Sequence, residues 1–374
     1  MRLMFVDPVP WDYAPDTPYA RPLGGSQSAL CYLAERLATL GHEVGLLNNT
    51  RTPGVVLGVH CFGLNETSRE CVEFVAGTDV VVAVNDVAPR TVQALRSGNG
   101  DARYYAWIGH ACDQPAVAPL RDAATRDAWD GLILASDWQA RTFCDSLGVE
   151  AGRVKVLGYG IAPPFAGLFD GASITESKPW PPTLAYTSTP FRGLDRLIAA
   201  FPTIRGAIPG TRLKVFSSME VYGVAAGEDE YADLYARCRA TDGIEYVGAV
   251  DQPSLAGALS KTTCLAYPNT FAETACIAVM EAMAAGCVVV TSDLGALPET
   301  TAGFARLVEA PERPAEHVRL FADAVLRELL ERRAAPQAEA EARLRAQVDH
   351  MNGVNTWQAR AGEWARWLSG EGAP

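Results

Sequence analysis

Short runs of apolar, largely β-branched residues recur along this chain with helical patterns between them. LMFVD, EVGLLN, VVVAVN, ARYYAWIG, GLILAS and VKVLG lie in the first half, and TLAYTS, RLKVFSS, IEYVGA, CLAYP and CVVVTS follow residue 180. Strands that alternate with helices of about 10–15 residues are joined by crossovers and pair in parallel. Two groups of such runs imply two parallel sheets, hence an α/β chain. Between them GIAPPFAGLFDGASITESKPWPPT, residues 160–183, is rich in Pro and Gly, carries no periodicity and reads as an interdomain linker. The length of 374 residues agrees, because single cores tend to divide above roughly 250–300 residues.

Hydrophobic residues at 48% and charged residues at 20% describe a folded globular chain and exclude a disordered one. The net charge is −12 and no long basic run is present, which argues against nucleic acid or a strongly anionic membrane as partner. A small polar ligand is the expectation. The nine cysteines (31, 61, 71, 112, 144, 238, 264, 276 and 287) are odd in number and never spaced CxxC, so they read as free thiols in a reducing compartment. MRLMFVDPVPW opens as a strand and lacks the pattern of a signal peptide, and no segment reaches the ~18–20 apolar residues of a membrane span. A cytoplasmic location follows as the expectation. A helical Ala/Glu/Arg pattern runs from about Glu316 to Val348, and in the last segment Trp357, Trp364 and Trp367 form an aromatic stripe suited to docking. The acids Glu228, Asp229 and Glu230 read as a solvated helix start and not as a metal site.

FAETACIAVMEAMAAGCVVVTSD, Phe271 to Asp293, is the stretch richest in chemistry. The pattern predicts a helix from Thr274, with Ile277, Met280, Met283 and Ala284 on one apolar face and Gly286 as its stop. It leads into a buried strand, so Glu281 is expected in a partly enclosed place, where an ionised carboxylate needs hydrogen-bond donors. Glu273 falls in the loop before the helix, and the amides of Thr274, Ala275, Cys276 and Ile277 would form an N-terminus suited to phosphate. The spacing alone fits a plainer reading at least as well: Glu273 complements the helix dipole and Glu281 is solvated. Two further features carry weaker signals. Gly24 and Gly25 open a helix after the long loop Pro8–Leu23, where backbone could approach a ligand or simply turn. His110 follows the run ARYYAWIG, at the carboxyl end of a strand, where open α/β sheets bind ligands.

Glu273, seven residues, Glu281 and then AMAAGCVVVTSDLGALPE together resemble the donor-site motif of retaining glycosyltransferases of the GT-B fold, family four (glycosyl transferases group 1). Weaker resemblances occur in the family's order at Gly24–Gly25, LASDWQARTF, VKVLGYGIAPPF and FRGLDRLIAAFP. The resemblance implies two Rossmann-like domains facing a central cleft. The first, residues 1–160, would take the acceptor, with a C-terminal crossover helix at about 352–370; a linker spans 161–182; residues 183–351 would hold the nucleotide sugar.

It further implies roles for individual residues. His110 and Glu273 would orient the donor sugar, Arg192 and the amides of Thr274–Ile277 would neutralise the diphosphate, and Glu281 would meet the ribose. Gly24 and Gly25 would border the donor phosphates, with Ser26, Gln27, Asp113 and Gln114 on the acceptor side. Val247 and Gly248 would lie near the nucleobase, in a segment that does not separate uracil from guanine; a UDP sugar is taken ahead of a GDP sugar. In TLAYTSTPFRG the Arg192 position resembles the family's Lys, but Thr187 beside Ser188 stands where the family usually has Arg. One hydroxyl replaces a guanidinium that would grip two oxygens. Arg192, Lys261 or backbone amides are the candidates to offset that loss. The implied reaction moves a sugar to a hydroxyl or amine with retention, without metal or cofactor, between small-molecule partners and without nucleic acid or strong membrane association. Two alternatives stand beside it: a sugar-nucleotide epimerase on the same fold, and a binding protein that has lost activity along with the Arg.

Overall fold

Each of the eleven runs named above is a strand, and three more join them. The first sheet contains β1 (Arg2–Val6), β2 (Glu43–Asn48), β3 (Gly54–Val56), β4 (Val59–Gly63), β5 (Val80–Val84), β6 (Arg103–Ile108), β7 (Gly131–Leu134) and β8 (Val154–Val156). Their order is β3-β4-β2-β1-β5-β6-β7-β8, parallel except for the hairpin β3–β4. The second sheet contains β9 (Thr183–Tyr186), β10 (Arg212–Val215), β11 (Ile244–Tyr246), β12 (Cys264–Tyr267), β13 (Val288–Ser292) and β14 (Arg306–Val308), in the order β11-β10-β9-β12-β13-β14 and parallel throughout. Continuous apolar runs such as VVVAV in β5, buried at every residue, are what a sheet covered by helices on both faces requires.

This computed structural model describes residues 1–225 and 227–370. The chain divides into two units, Met1–Pro18 with Gly25–Tyr159 and the chain from Trp357 onward, and Tyr19–Gly24 with Gly160–Thr356. Within the first unit, helix Asp137–Leu147 starts where the Ser136 hydroxyl accepts the Gln139 amide at 3.1 Å and stops at Gly148 in the left-handed region (φ 66°). The helix Trp357–Leu368 lays its aromatic stripe on the same unit. Trp364 sits 5.2 Å from Trp107 and 6.1 Å from Phe5, and Trp367 sits 4.8 Å from Tyr105, ring centre to ring centre.

Away from the loops at the carboxyl ends of its strands, the second unit departs from the sequence reading in three places. The helix expected over Glu316–Val348 is two helices, Pro314–Ala334 and Gln337–Val354, because Pro336 holds Ala335 extended (φ −67°, ψ 147°) and offers no N–H. The segment that reads as a linker is packed into this unit, with Phe165, Phe169 and Ile174 buried. Glu341 accepts the amides of Ile174 (3.0 Å) and Thr175 (2.8 Å), and Asn352 accepts that of Gly167 (3.1 Å). Lys178 Nζ donates to the carbonyls of Leu259, Ser260 and Ala285, and burial lowers its pKa to about 8. Finally, the acid cluster does not start a helix, which begins at Ala232. Asp229 instead accepts from the Met219 and Tyr231 amides and the Tyr235 hydroxyl, because a half-buried carboxylate in a loop is stabilised by such donors. All nine cysteines are free.

Candidate active site

In a parallel sheet the loops that leave the carboxyl ends of neighbouring strands emerge together. In the second unit these are the loops after β9, β12 and β13. Two glycines let them touch. A Cβ on Gly193 (φ +108°) would lie 2.0 Å from the Pro268 carbonyl oxygen, so only glycine lets the loop after β9 approach the loop after β12. Gly295 (φ +65°) does the same for the loop after β13, where a Cβ would lie 2.5 Å from Glu273 O, and the Ala296 amide donates to that oxygen at 2.7 Å. Ser292 Oγ ties in the Asn269 carbonyl at 2.6 Å.

The result is a carboxylate with fixed partners. Glu273 is 4% exposed; Arg192 Nη1 donates to its two oxygens at 2.7 and 2.8 Å, and the buried Tyr267 hydroxyl donates to Oε1 at 2.6 Å. Burial is the largest influence on Arg192 and lowers its pKa, but the charge of Glu273, joined by Tyr267, Tyr222 and Cys276, together outweighs it and the guanidinium is held well above its ordinary range. Burial and then the Glu273 charge raise Tyr267 far above the usual phenol value, so it remains a donor. Arg192 lies 4.6 Å over the Phe271 ring. Three polar atoms of the same loop, Thr187 Oγ1, Thr189 Oγ1 and Arg192 Nε, are buried and have no hydrogen-bond partner among the described residues. Such atoms carry a desolvation cost of about 1–3 kcal/mol each until an acceptor or donor meets them. Ser188 Oγ stands 3.3 Å from the Tyr267 hydroxyl.

The helix that follows runs Ile277–Ala284, three residues shorter at its start than the pattern suggests. Gly295 and Ala296 pin the Glu273 backbone, and Cys276 is extended at the cap (φ −99°, ψ 95°), so Thr274 and Ala275 form a bend ahead of the helix. Of the amides assigned to the helix N-terminus only that of Ile277 belongs to it. Glu281 is buried, not solvated: it is 4% exposed and its Oε1 accepts the Ala162 amide at 3.1 Å. Burial raises its pKa to about 8, against the lowering effect of that amide. Lys261 cannot compensate Thr187. It precedes β12, at the amino end of a strand of four residues, about 13 Å long, whereas Thr187 follows the carboxyl end of the adjacent β9. Val247 and Gly248 follow β11, and both their amides donate to the Val215 carbonyl, at 2.9 and 3.3 Å.

In the first unit His110 follows β6 as expected. Gln139, fully buried, donates to the carbonyls of Ile108 (3.0 Å) and His110 (2.8 Å) and accepts the Ala135 amide, while Asn85 accepts the Gly109 amide at 2.7 Å. Gln114 Oε1 accepts the Ala111 amide at 2.8 Å and so shapes the His110 loop; Asp113 is exposed. Gly25 is the first residue of the helix Gly25–Thr39; Gly24, which is grouped with the second unit, is buried. Ser26 hydrogen-bonds Tyr159, and Gln27, 4% exposed, donates to Asp7 at 3.1 Å. Asp7 also accepts the Tyr13 hydroxyl at 2.6 Å, and burial raises its pKa despite these donors. The structure therefore gives Gln27 an internal partner that the sequence did not suggest. Tyr267, Gln139, Asn85 and Asp7 were all missed; each lies in or just after a run that reads only as strand or helix.

Among the described residues no group of three His, Cys, Asp or Glu side chains is placed to hold a metal, and no helix is long and apolar enough to cross a membrane.

Residues 182–331 match the family model described as glycosyl transferases group 1. Solved structures similar over the whole chain include sucrose-phosphate synthase from Thermosynechococcus elongatus (18% identity, 100% of both chains, TM-score 0.70). A glycosyltransferase from Rickettsia africae is also similar (12% identity, 99% of this chain and 98% of that one, TM-score 0.69). So is Anabaena Alr3699/HepE in complex with UDP (15% identity, 99% and 100%, TM-score 0.64). At these identities the likeness establishes the fold, which is GT-B. No curated protein matches the chain by sequence.

Proposed function

We propose that this chain, whose residues 182–331 match the glycosyl transferases group 1 family model, moves a sugar from a nucleoside diphosphate sugar to an acceptor hydroxyl or amine with retention at the anomeric carbon. The observation that carries this reading is the Arg192–Glu273 pair on the touching loops of the second sheet, beside three polar atoms without partners. A guanidinium and uncharged donors suit the growing charge of a leaving diphosphate. A buried, preorganised carboxylate suits sugar hydroxyls. Anabaena Alr3699/HepE, of the same fold, was solved with UDP and with UDP and glucose, which supports a UDP sugar ahead of a GDP sugar.

Each residue then has a task. Arg192, with the Thr187 and Ser188 hydroxyls and the amides at the start of helix Ile277–Ala284, would neutralise the diphosphate without a metal. Glu273 would orient the sugar, and His110 would assist there. Glu281, one oxygen of which serves Ala162, would offer the other to the ribose, and Val247–Gly248 would border the base. Gly24, Gly25 and Ser26 would line the phosphate and acceptor side.

Incubation with UDP and GDP sugars, alone and with mixed sugar and lipid-sugar acceptors, tests the reading by NMR of the product anomer. A new glycosidic bond of the donor's own anomeric configuration supports it. An isomerised nucleotide sugar formed without acceptor would make the chain an epimerase, and binding with no turnover would make it a binding protein.

A further inference from the structure

The pairing of Arg192 with Glu273 is an imperfect use of both groups. Arginine grips a carboxylate best through two nitrogens in a fork. Here a single nitrogen, Nη1, serves both oxygens of Glu273, and Nε of the same guanidinium is buried and has no acceptor among the described residues. The carboxylate, in contrast, keeps a second donor that does not depend on Arg192, the Tyr267 hydroxyl at 2.6 Å. A diphosphate could offer the guanidinium the two-nitrogen contact that Glu273 does not. Glu273, 4% exposed, would then lose a charge-assisted bond in a place that water scarcely reaches, and only another set of donors could replace it.

Resting on the transferase reading above, we infer that the Arg192–Glu273 pair is an exchangeable latch that favours the intact sugar nucleotide over its nucleoside diphosphate product. When a sugar nucleotide binds, its diphosphate takes Arg192 and its sugar hydroxyls take the place of Arg192 at Glu273. Once the sugar has been transferred, the nucleoside diphosphate offers nothing to Glu273. The carboxylate then competes for Arg192 and drives the product off. Tyr267 is a positioning residue in this scheme: it keeps Glu273 in place while Arg192 is away, and so lowers the cost of opening the latch.

The two residues give opposite signs in one measurement, which a merely structural role would not. Calorimetric titration of UDP, GDP and the corresponding sugar nucleotides into the folded wild type, Glu273→Gln and Tyr267→Phe is the test. Removing the competing charge in Glu273→Gln should tighten nucleoside diphosphate binding about tenfold, while binding of the sugar nucleotide fails to improve. Tyr267→Phe leaves Glu273 more dependent on Arg192 and should weaken nucleoside diphosphate binding about threefold or more. Should Glu273→Gln not fold, the Tyr267→Phe arm decides alone. Unchanged or weaker diphosphate binding in Glu273→Gln, or unchanged binding in Tyr267→Phe, overturns the latch and leaves the transferase reading standing. A wild type that binds no UDP or GDP sugar overturns both.

Discussion

Glu281 Oε1 accepts the backbone amide of Ala162 at 3.1 Å, so a carboxylate set into an apolar helix holds a residue 119 positions earlier in the chain. Burial raises its pKa from 4.5 to about 8. A folded-state pKa above the unfolded one means that the native state binds the extra proton between these values. The contribution of Glu281 to stability is therefore greatest below about pH 4.5 and is lost as pH rises toward 8. Glu281→Gln, which cannot ionise, should remove that loss. Urea denaturation at pH 5 and pH 8.5 should show the wild type losing on the order of a few kcal/mol more than the variant over this interval. Equal pH dependence in the two proteins would show that Glu281 does not hold a proton in the fold.

Gly193→Ala should disturb both stability and donor binding. The residue has φ +108°, and the new Cβ would meet the Pro268 oxygen at 2.0 Å, so the loop carrying Arg192 must move away from the loop carrying Glu273. Strain of this kind costs about 1–3 kcal/mol or more. A variant with wild-type denaturation midpoint and donor affinity would contradict the contact between these loops as the device that positions Arg192.

Thr187→Arg probes the family position that this chain lacks. Thr187 Oγ1 is buried and has no partner among the described residues, and Lys261 is at the wrong end of the sheet to compensate. If loop donors and Arg192 carry the diphosphate between them, an added guanidinium should leave donor affinity level or raise it, by up to about 1–3 kcal/mol where it reaches the phosphate. A tenfold loss of affinity in a variant that is folded by circular dichroism would mean that the space belongs to the substrate, and the alignment of TSTPFRG with a diphosphate clamp would fail.

Much of the architecture was legible because period and length report directly on strands and crossovers. VVVAV and CVVVTS are short and rich in β-branched residues, which favours buried parallel strands over buried helix. The hairpin β3–β4 escaped because β3 has only three residues, beginning at Gly54, and Gly58 lies in the turn before β4; β14, Arg306–Val308, offers only two apolar residues and so no run that stands out. The break at Pro336 is readable, because proline cannot continue a helix, but the Ala/Glu/Arg pattern on both sides of it masks the signal. At the site, the carboxylates stood out because acids are costly in apolar surroundings. Their partners did not. Tyr267 sits in CLAYP like any strand residue, and only the return of the chain through Asn269 brings its hydroxyl to Glu273. The partner of Glu281 is a backbone amide, and no residue type signals that.

The central claim, that Arg192 carries the diphosphate of a sugar nucleotide, is tested most directly by calorimetry of wild type and Arg192→Ala against UDP and GDP sugars and against the bare nucleosides. At least one sugar nucleotide should bind the wild type and lose about 2 kcal/mol or more of binding free energy in the variant, while the nucleoside is little affected. Equal losses for nucleoside and sugar nucleotide, or undiminished binding of the sugar nucleotide by Arg192→Ala, would contradict the account.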